Sequence, residues 1–220
     1  TQDRDRFKVI IDAIQEACPD IIIQPSTGGA TGMTADERLQ PTELNPEMAS
    51  LDCGTMNFGG DEIFVNTENM IIEFATRMNE RGIKPELECF DKSHIDMALR
   101  LVRKGYIKPP LHFNFVLGVN GGATGTPRDL LFMKESIPKG STFTVSGIGR
   151  CQLEMNVMAM LIGGHVRLGL EDNLKYNRER IGVSNAEFVE RIVRIAKELN
   201  IEIATPAEAR QILGLPERVK

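Results

Sequence analysis

Six apolar runs recur along the chain, at 20–24, 48–53, 85–90, 111–117, 142–146 and 165–170, each followed by a helical or turn-rich stretch. At the start, Phe7, Ile10, Ile11, Ile14 and Cys18 fall at helical spacing and predict an amphipathic helix over 3–17. Thr67 can cap a second helix through Ile71, Phe74, Ala75 and Met78, with Gly82 as its stop. Ser93 with Asp96 opens another, through Ile95, Leu99 and Val102 to Gly105. Thr126-Pro127-Arg128-Asp129 puts proline at the first helical position, and Ser184-Asn185-Ala186-Glu187 and Thr205-Pro206-Ala207-Glu208 read as capping boxes.

Strand–helix alternation on this scale predicts a parallel α/β sheet, either open and doubly wound or closed into a barrel. Strands of an open sheet are buried on both faces and are apolar throughout. Here His112 and Asn114 oppose Phe113 and Phe115, Thr142, Thr144 and Ser146 oppose Phe143 and Val145, and Glu86 shares a face with Glu88. Apolar faces toward helices and polar faces toward each other predict a (β/α)8 TIM barrel, with residues 1–220 as one domain. Six strands are two short of eight, so the first two strands, about sixty residues, are expected to be missing from this chain.

Composition narrows the function classes. The net charge is -5, with no Trp and two Tyr, which argues against a nucleic-acid surface. No stretch approaches the ~20 apolar residues of a membrane span. Cys18, Cys53, Cys89 and Cys151 are widely spaced and form no C-x-x-C pair, so reduced thiols and a cytoplasmic location are expected.

In such barrels the chemistry gathers at the carboxyl ends of the strands. Those ends carry Ser26-Thr27-Gly28-Gly29, Gly54-Thr55-Met56-Asn57, Glu86 with Glu88, Gly118-Val119-Asn120-Gly121-Gly122, Gly147-Ile148-Gly149-Arg150, and His165 through Asn173. Strand parity places His165, Arg167, Gly169 and Glu171 on one face, with Asp172 following. An arginine can clamp a substrate carboxylate, one carboxylate can ligate a hard metal, and a second can take a proton from carbon. This set suits enolate chemistry on an oxo acid. Plainer readings stand beside it: Arg167 with Glu171 as an interior ion pair, His165 as a hydrogen-bonded interior residue, Ser26–Gly29 as a tight turn, and Asn57 as a loop cap. No H-x-H, H-E-x-x-H or C-x-x-C metal motif occurs.

Across these residues the sequence resembles the β-keto acid cleavage enzymes. The carriers are I-I-I-Q-P-S-T-G-G, P-E-M-A-S-L-D-C-G-T-M-N-F-G, P-E-L-E, L-H-F-N-F-V-L-G-V-N-G-G, G-I-G-R and G-G-H-V-R-L-G-L-E-D-N, in order along the whole chain. The resemblance implies a divalent metal, usually zinc, held by Glu171 and by two histidines expected on the absent second strand. It implies that Asp172 and Arg167 are catalytic, with Ser26, and that Thr55, Asn57 and Glu88 bind substrate. Asn120, Gly121, Gly122 and Arg150 would border an acyl-CoA channel. The implied reaction condenses a β-keto acid with acetyl-CoA and releases acetoacetate and a new acyl-CoA by retro-Claisen cleavage. A homo-oligomer is expected, with small-molecule partners only. Two alternatives remain at this point: a metal-dependent aldolase-like lyase acting without CoA, and a non-catalytic barrel that binds acyl-CoA or an oxo acid.

Overall fold

Main-chain hydrogen bonds in the computed structural model, which describes residues 2–216, gather five of the six expected strands into one parallel sheet. In chain order the elements are α1 (Arg4–Ala17), α2 (Ala35–Leu39), β1 (Met48–Asp52), β2 (Met56–Phe58), β3 (Glu62–Phe64), α3 (Glu68–Glu80), β4 (Lys84–Cys89) and α4 (Lys92–Arg103). They continue with β5 (His112–Leu117), α5 (Pro127–Glu135), β6 (Thr142–Gly147), α6 (Gln152–Leu161), β7 (His165–Arg167), α7 (Asn185–Glu198) and α8 (Pro206–Leu213). The sheet runs β1-β4-β5-β6-β7, every neighbouring pair parallel, so each crossover passes to the adjacent position.

The sixth run is extended but not laddered. Met48 and Ser50 donate their N–H groups to the carbonyls of Ile23 (3.4 Å) and Pro25 (3.2 Å), as a parallel neighbour would. The return bond that position 25 would supply cannot form, because proline has no N–H. The next return bond, to the Ser50 carbonyl, comes instead from the Thr27 hydroxyl at 2.7 Å.

Register fixes which side chains point inward. Asp52, Glu88, Asn114, Thr144 and His165 are successive cross-strand partners, and Ser50, Glu86, His112 and Thr142 belong to the inward-facing set one pleat below. The opposite faces carry Leu51, Leu87, Phe113, Phe115, Phe143 and Val145, which pack with Ile71, Phe74, Met78, Ile95, Leu101 and Met155 from the helices in one apolar cluster. The sequence's polar/apolar alternation is therefore realised as barrel interior against helix-covered exterior. Two glycines make room for buried rings: a Cβ on Gly164 would collide with the Phe143 ring of this cluster, and one on Gly182 with the Phe188 ring of α7.

Helix starts follow the expected caps at Thr67, Thr126, Ser184 and Thr205, each hydroxyl accepting the N–H three residues on. Thr205 and Glu208 close the full capping box, whereas Glu187 turns to the Val183 N–H rather than to Ser184. Three expectations are corrected. The cap of α4 is Asp91, whose carboxylate accepts from Ser93 N–H at 2.9 Å, because a carboxylate two residues earlier outcompetes the serine. α1 forms where predicted but buries none of its residues, with Ile10 59% exposed. The final strand ends at Arg167 instead of 170, because Gly169 (φ +155°) turns the chain and Asn173 N–H closes on its carbonyl at 3.1 Å. The β2–β3 hairpin was not anticipated: three-residue strands with one buried side each are too short to show a period.

Candidate active site

The turn after β7 decides how the polar residues meet. Parity predicted Arg167 and Glu171 together on a strand face. With the strand ended, it is Asp172 that swings back beneath the guanidinium. Arg167 donates Nε to Asp172 Oδ2 (3.1 Å) and Nη2 to Asp172 Oδ1 (2.9 Å), a two-point fork, while Nη1 faces Glu88 Oε1 at 3.9 Å. Glu171 stays outside, its side chain 87% exposed, 3.5 Å from Nη2. The structure thus joins Glu88, Arg167 and Asp172 and leaves Glu171 at the rim.

Four polar contacts hold this turn in place. Asn156 Nδ2 donates to the Arg167 carbonyl (3.1 Å), and Gln152 Nε2 to the Gly169 carbonyl (3.2 Å). Asn185 Oδ1 accepts from Leu170 N–H (2.8 Å), and Gly149 N–H donates to the Asp172 carbonyl (2.7 Å). The two amides sit four residues apart on the buried face of α6, a polar pair on an otherwise apolar surface that sequence reasoning passed over.

Burial and charge oppose each other here. Burial raises the Asp172 carboxyl above the ordinary aspartate range, and Arg167 only partly offsets this. Burial, then the neighbouring Asp52 charge, push Glu88 well above its usual value. Asp52 itself is pushed up to about 6, burial outweighing the pull of Arg38 and Arg167. Burial works against the Arg167 cation, but Glu88 and Asp172 more than compensate and keep it protonated. Carboxylates that bind protons more tightly than in water are suited to taking a proton from carbon.

A cavity of about 980 Å³ opens beside this cluster, lined by Ser26, Glu86, Glu88, Arg167 and Glu171 among others. Residues from the 24–26 segment and from β7 share its wall, so the two margins of the sheet curve toward one space. Asp172 lies just behind the wall, 6% exposed. Ser26 faces the cavity and its Oγ accepts from Gly28 N–H at 3.0 Å. Deeper down, Glu86 accepts from Gln24 Nε2 (2.5 Å) and meets His112 Nε2 (3.1 Å), whose Nδ1 contacts Thr142 Oγ1 (2.8 Å). His165 packs its ring 6.0 Å from that of His112. The two inward glutamates therefore have different partners, His112 for Glu86 and Arg167 for Glu88.

The remaining predicted positions do not line the cavity. Thr55 Oγ1 accepts from Asn66 N–H (2.8 Å), which closes the neck of the β2–β3 hairpin, and Asn57 is exposed on that hairpin. Asn120 and Arg150 are exposed. Gly121 (φ +98°) has a packing role beyond any ligand: a Cβ there would strike the Asn57 carbonyl, and one on Gly122 would crowd the Phe90 carbonyl. Among the described residues, no three His, Cys, Asp or Glu side chains group closely enough to hold a metal ion. With Glu171 solvent-facing and ion-paired, the residues present do not by themselves fit a metal centre.

Comparison with known proteins gives a consistent picture. A family profile described as beta-keto acid cleavage enzyme matches residues 1–215. The chain is 63% identical over 215 residues to the 3-keto-5-aminohexanoate cleavage enzyme of Acetoanaerobium sticklandii, covering 98% of this chain and 79% of that protein. It is 36% identical over 219 residues to the 3-oxoadipate:acetyl-CoA acetyltransferase of Cupriavidus necator, covering 98% and 76%. A solved binary complex of ObcA with oxaloacetate superposes with a TM-score of 0.80 at 21% identity, covering 98% of this chain and 57% of that one. That likeness bears on the fold alone, and it agrees with the barrel architecture.

Proposed function

The chain belongs to the beta-keto acid cleavage enzyme family, and from that premise we propose that it transfers the acetyl group of acetyl-CoA to a β-keto acid and splits the product. The observation that carries this reading is the Glu88–Arg167–Asp172 cluster, fixed at the wall of a cavity that Ser26 also faces.

Arg167 has guanidinium edge left over from Asp172 and meets the cavity, so it can hold the carboxylate of the keto acid. Asp172, behind it, is the base for the proton on the carbon between the two carbonyl functions. The carbanion attacks the thioester carbonyl, and the negative charge moves onto that oxygen, where the Ser26 hydroxyl can donate to it. Thiolate departure leaves the acetyl group on the α-carbon. Attack of the CoA sulfur on the original β-carbonyl then breaks the bond between that carbon and the α-carbon. The electron pair returns to the α-carbon with the proton held by Asp172, giving acetoacetate and a new acyl-CoA. Glu88 shares the guanidinium and keeps it from rotating away.

The implied metal would polarise the keto acid when bound. The residues present do not by themselves fit it, and no step above passes through it. Asn57 and Thr55 of the hairpin region, and Asn120, Gly121, Gly122 and Arg150, are the residues to test for acyl-CoA binding, and the exposure of Asn57, Asn120 and Arg150 supports that reading. The lining carries Glu86, Glu88, Glu171 and Glu202 against Arg167, an excess of acid that favours a keto acid with an amino group on its tail. 3-Keto-5-aminohexanoate, for which a 63% identical relative is named, is the first substrate to test. Mass spectrometry should show acetoacetate and a new acyl-CoA forming together, only when acetyl-CoA is supplied. Keto acid consumption independent of acetyl-CoA would point to an aldolase-like lyase, and binding without turnover to a non-catalytic barrel.

A further inference from the structure

Arg38 lies outside the cavity, on the short helix α2, with its side chain 3% exposed. Its guanidinium reaches three separate segments. Nε donates to the Thr27 carbonyl at 2.8 Å, Nη1 to the Val65 carbonyl at 3.3 Å, and Nη2 to Asp52 Oδ2 at 3.2 Å. The Phe64 and Phe74 rings stand 4.9 and 4.8 Å from its central carbon. Those segments are the turn that carries Ser26, the base of the hairpin that carries Asn57, and the end of β1.

The turn itself is gripped from the β1 side as well. Ser50 N–H bonds the Pro25 carbonyl, Thr27 N–H donates to Ser50 Oγ at 3.0 Å, and the Thr27 hydroxyl donates to the Ser50 carbonyl. Ser26 is thus flanked by two tethered peptides, and Arg38 supplies the only side-chain donor on the Thr27 carbonyl among the described residues. Asp52 Oδ2 also passes under this turn, 3.6 Å from where a Cβ on Gly28 would lie, and Asp52 is the register partner of Glu88. A buried ion pair contributes little net stability over apolar residues of similar size. A three-pronged planar cation with three different acceptors is better explained by what it aligns.

We infer that Arg38 is a positioning residue, whose guanidinium fixes the Ser26 turn relative to the β1–β4 wall of the cavity by bonding the Thr27 carbonyl and the Asp52 carboxylate at once. Its kinetic consequence rests on the proposed reaction, and its geometric consequence does not.

The test compares Arg38→Met, Arg38→Lys and the double variant Arg38→Met with Asp52→Asn in three readouts: amide hydrogen exchange, the urea unfolding midpoint, and kcat with KM for acetyl-CoA. In Arg38→Met the Thr27 and Gly28 amides should exchange at least about tenfold faster, and kcat should fall about 10–100-fold with KM for acetyl-CoA changed less than about threefold. Arg38→Lys keeps the charge and the fold but cannot bond both acceptors in one plane, so turn exchange stays fast and kcat low. The double variant removes both buried charges and should recover most of the unfolding midpoint while kcat stays low. Recovery of kcat together with the midpoint would make Arg38 merely structural and overturn the inference. So would unchanged turn exchange in both single variants. If the unsubstituted protein turns over no β-keto acid, the proposed function fails, while the exchange measurement still decides the role of Arg38.

Discussion

Asp172 is held by opposing forces: the fold withdraws it from water, and Arg167 grips both its oxygens. Asp172→Asn keeps the shape and one acceptor but cannot take a proton, so kcat should drop about 10²–10⁴-fold. Keto acid binding, measured by calorimetry, should change little, and near-normal turnover would remove Asp172 from the chemistry. Asp52 offers a prediction in the opposite sense from an ordinary salt-bridged carboxylate. Its folded value of about 6 lies above the ~3.9 of an unfolded aspartate, so the native state binds the proton more tightly. Its contribution to stability is present below the unfolded value and is lost as pH rises through about 6. Asp52→Asn leaves Arg38 without its carboxylate and should be less stable overall, yet it should lose less stability than the parent protein between pH 4 and pH 7. Equal losses in urea titrations would clear Asp52 of that role. At this scale the sequence grouped Arg167, Asp172 and Ser26 with Glu171, because they stand at strand ends with recognisable neighbours, whereas the structure joins Arg167 and Asp172 to Glu88 and leaves Glu171 at the rim. It concealed Arg38 and Asp52, whose meeting depends on a turn, a short helix and a strand converging from different parts of the chain.

Elements carry the next level of control. α6 anchors β7 through Asn156, and Asn156→Ala should lower kcat several-fold by loosening the Arg167 peptide, at a stability cost of about 1–3 kcal/mol for the unpaired carbonyl. Unaltered kinetics in a destabilised variant would confine Asn156 to folding. Gly121→Ala would force the 118–122 loop off the hairpin, since both the backbone angle and the Asn57 carbonyl forbid a side chain. A loss of about 2–3 kcal/mol is expected in denaturant unfolding, and a loss below 0.5 kcal/mol, on the order of a surface change, would contradict the close contact. Strand and helix positions were legible because period and capping chemistry are local. The hairpin was not, because its three-residue strands are too short to show a period, and the shortened β7 and the unladdered 20–24 run were not, since each depends on one residue interrupting a pattern: a glycine that turns, or a proline without a donor.

On the scale of the molecule, the sheet formed by the described residues has two margins without a further strand. Ile23 and Pro25 turn their carbonyls toward β1, and β7 pairs through three residues with β6 alone. Hydrogen exchange on this 220-residue chain should therefore be slowest in β4 and β5, at the middle of the sheet, and fastest at 21–24 and 165–167. Strong protection at both margins would mean that something covers them. The sequence disclosed the barrel because polar strand faces need a shared interior, a constraint that acts on the whole sheet.

The rings of Phe143 and Phe188 occupy the volume that a side chain at 164 or 182 would need. Evolution at those sites is therefore yoked: a bulkier residue at 164 becomes tolerable only when 143 shrinks, and 182 is bound to 188 in the same way. Across homologues these two pairs should drift in concert, large for small, while either member changed alone is selected against.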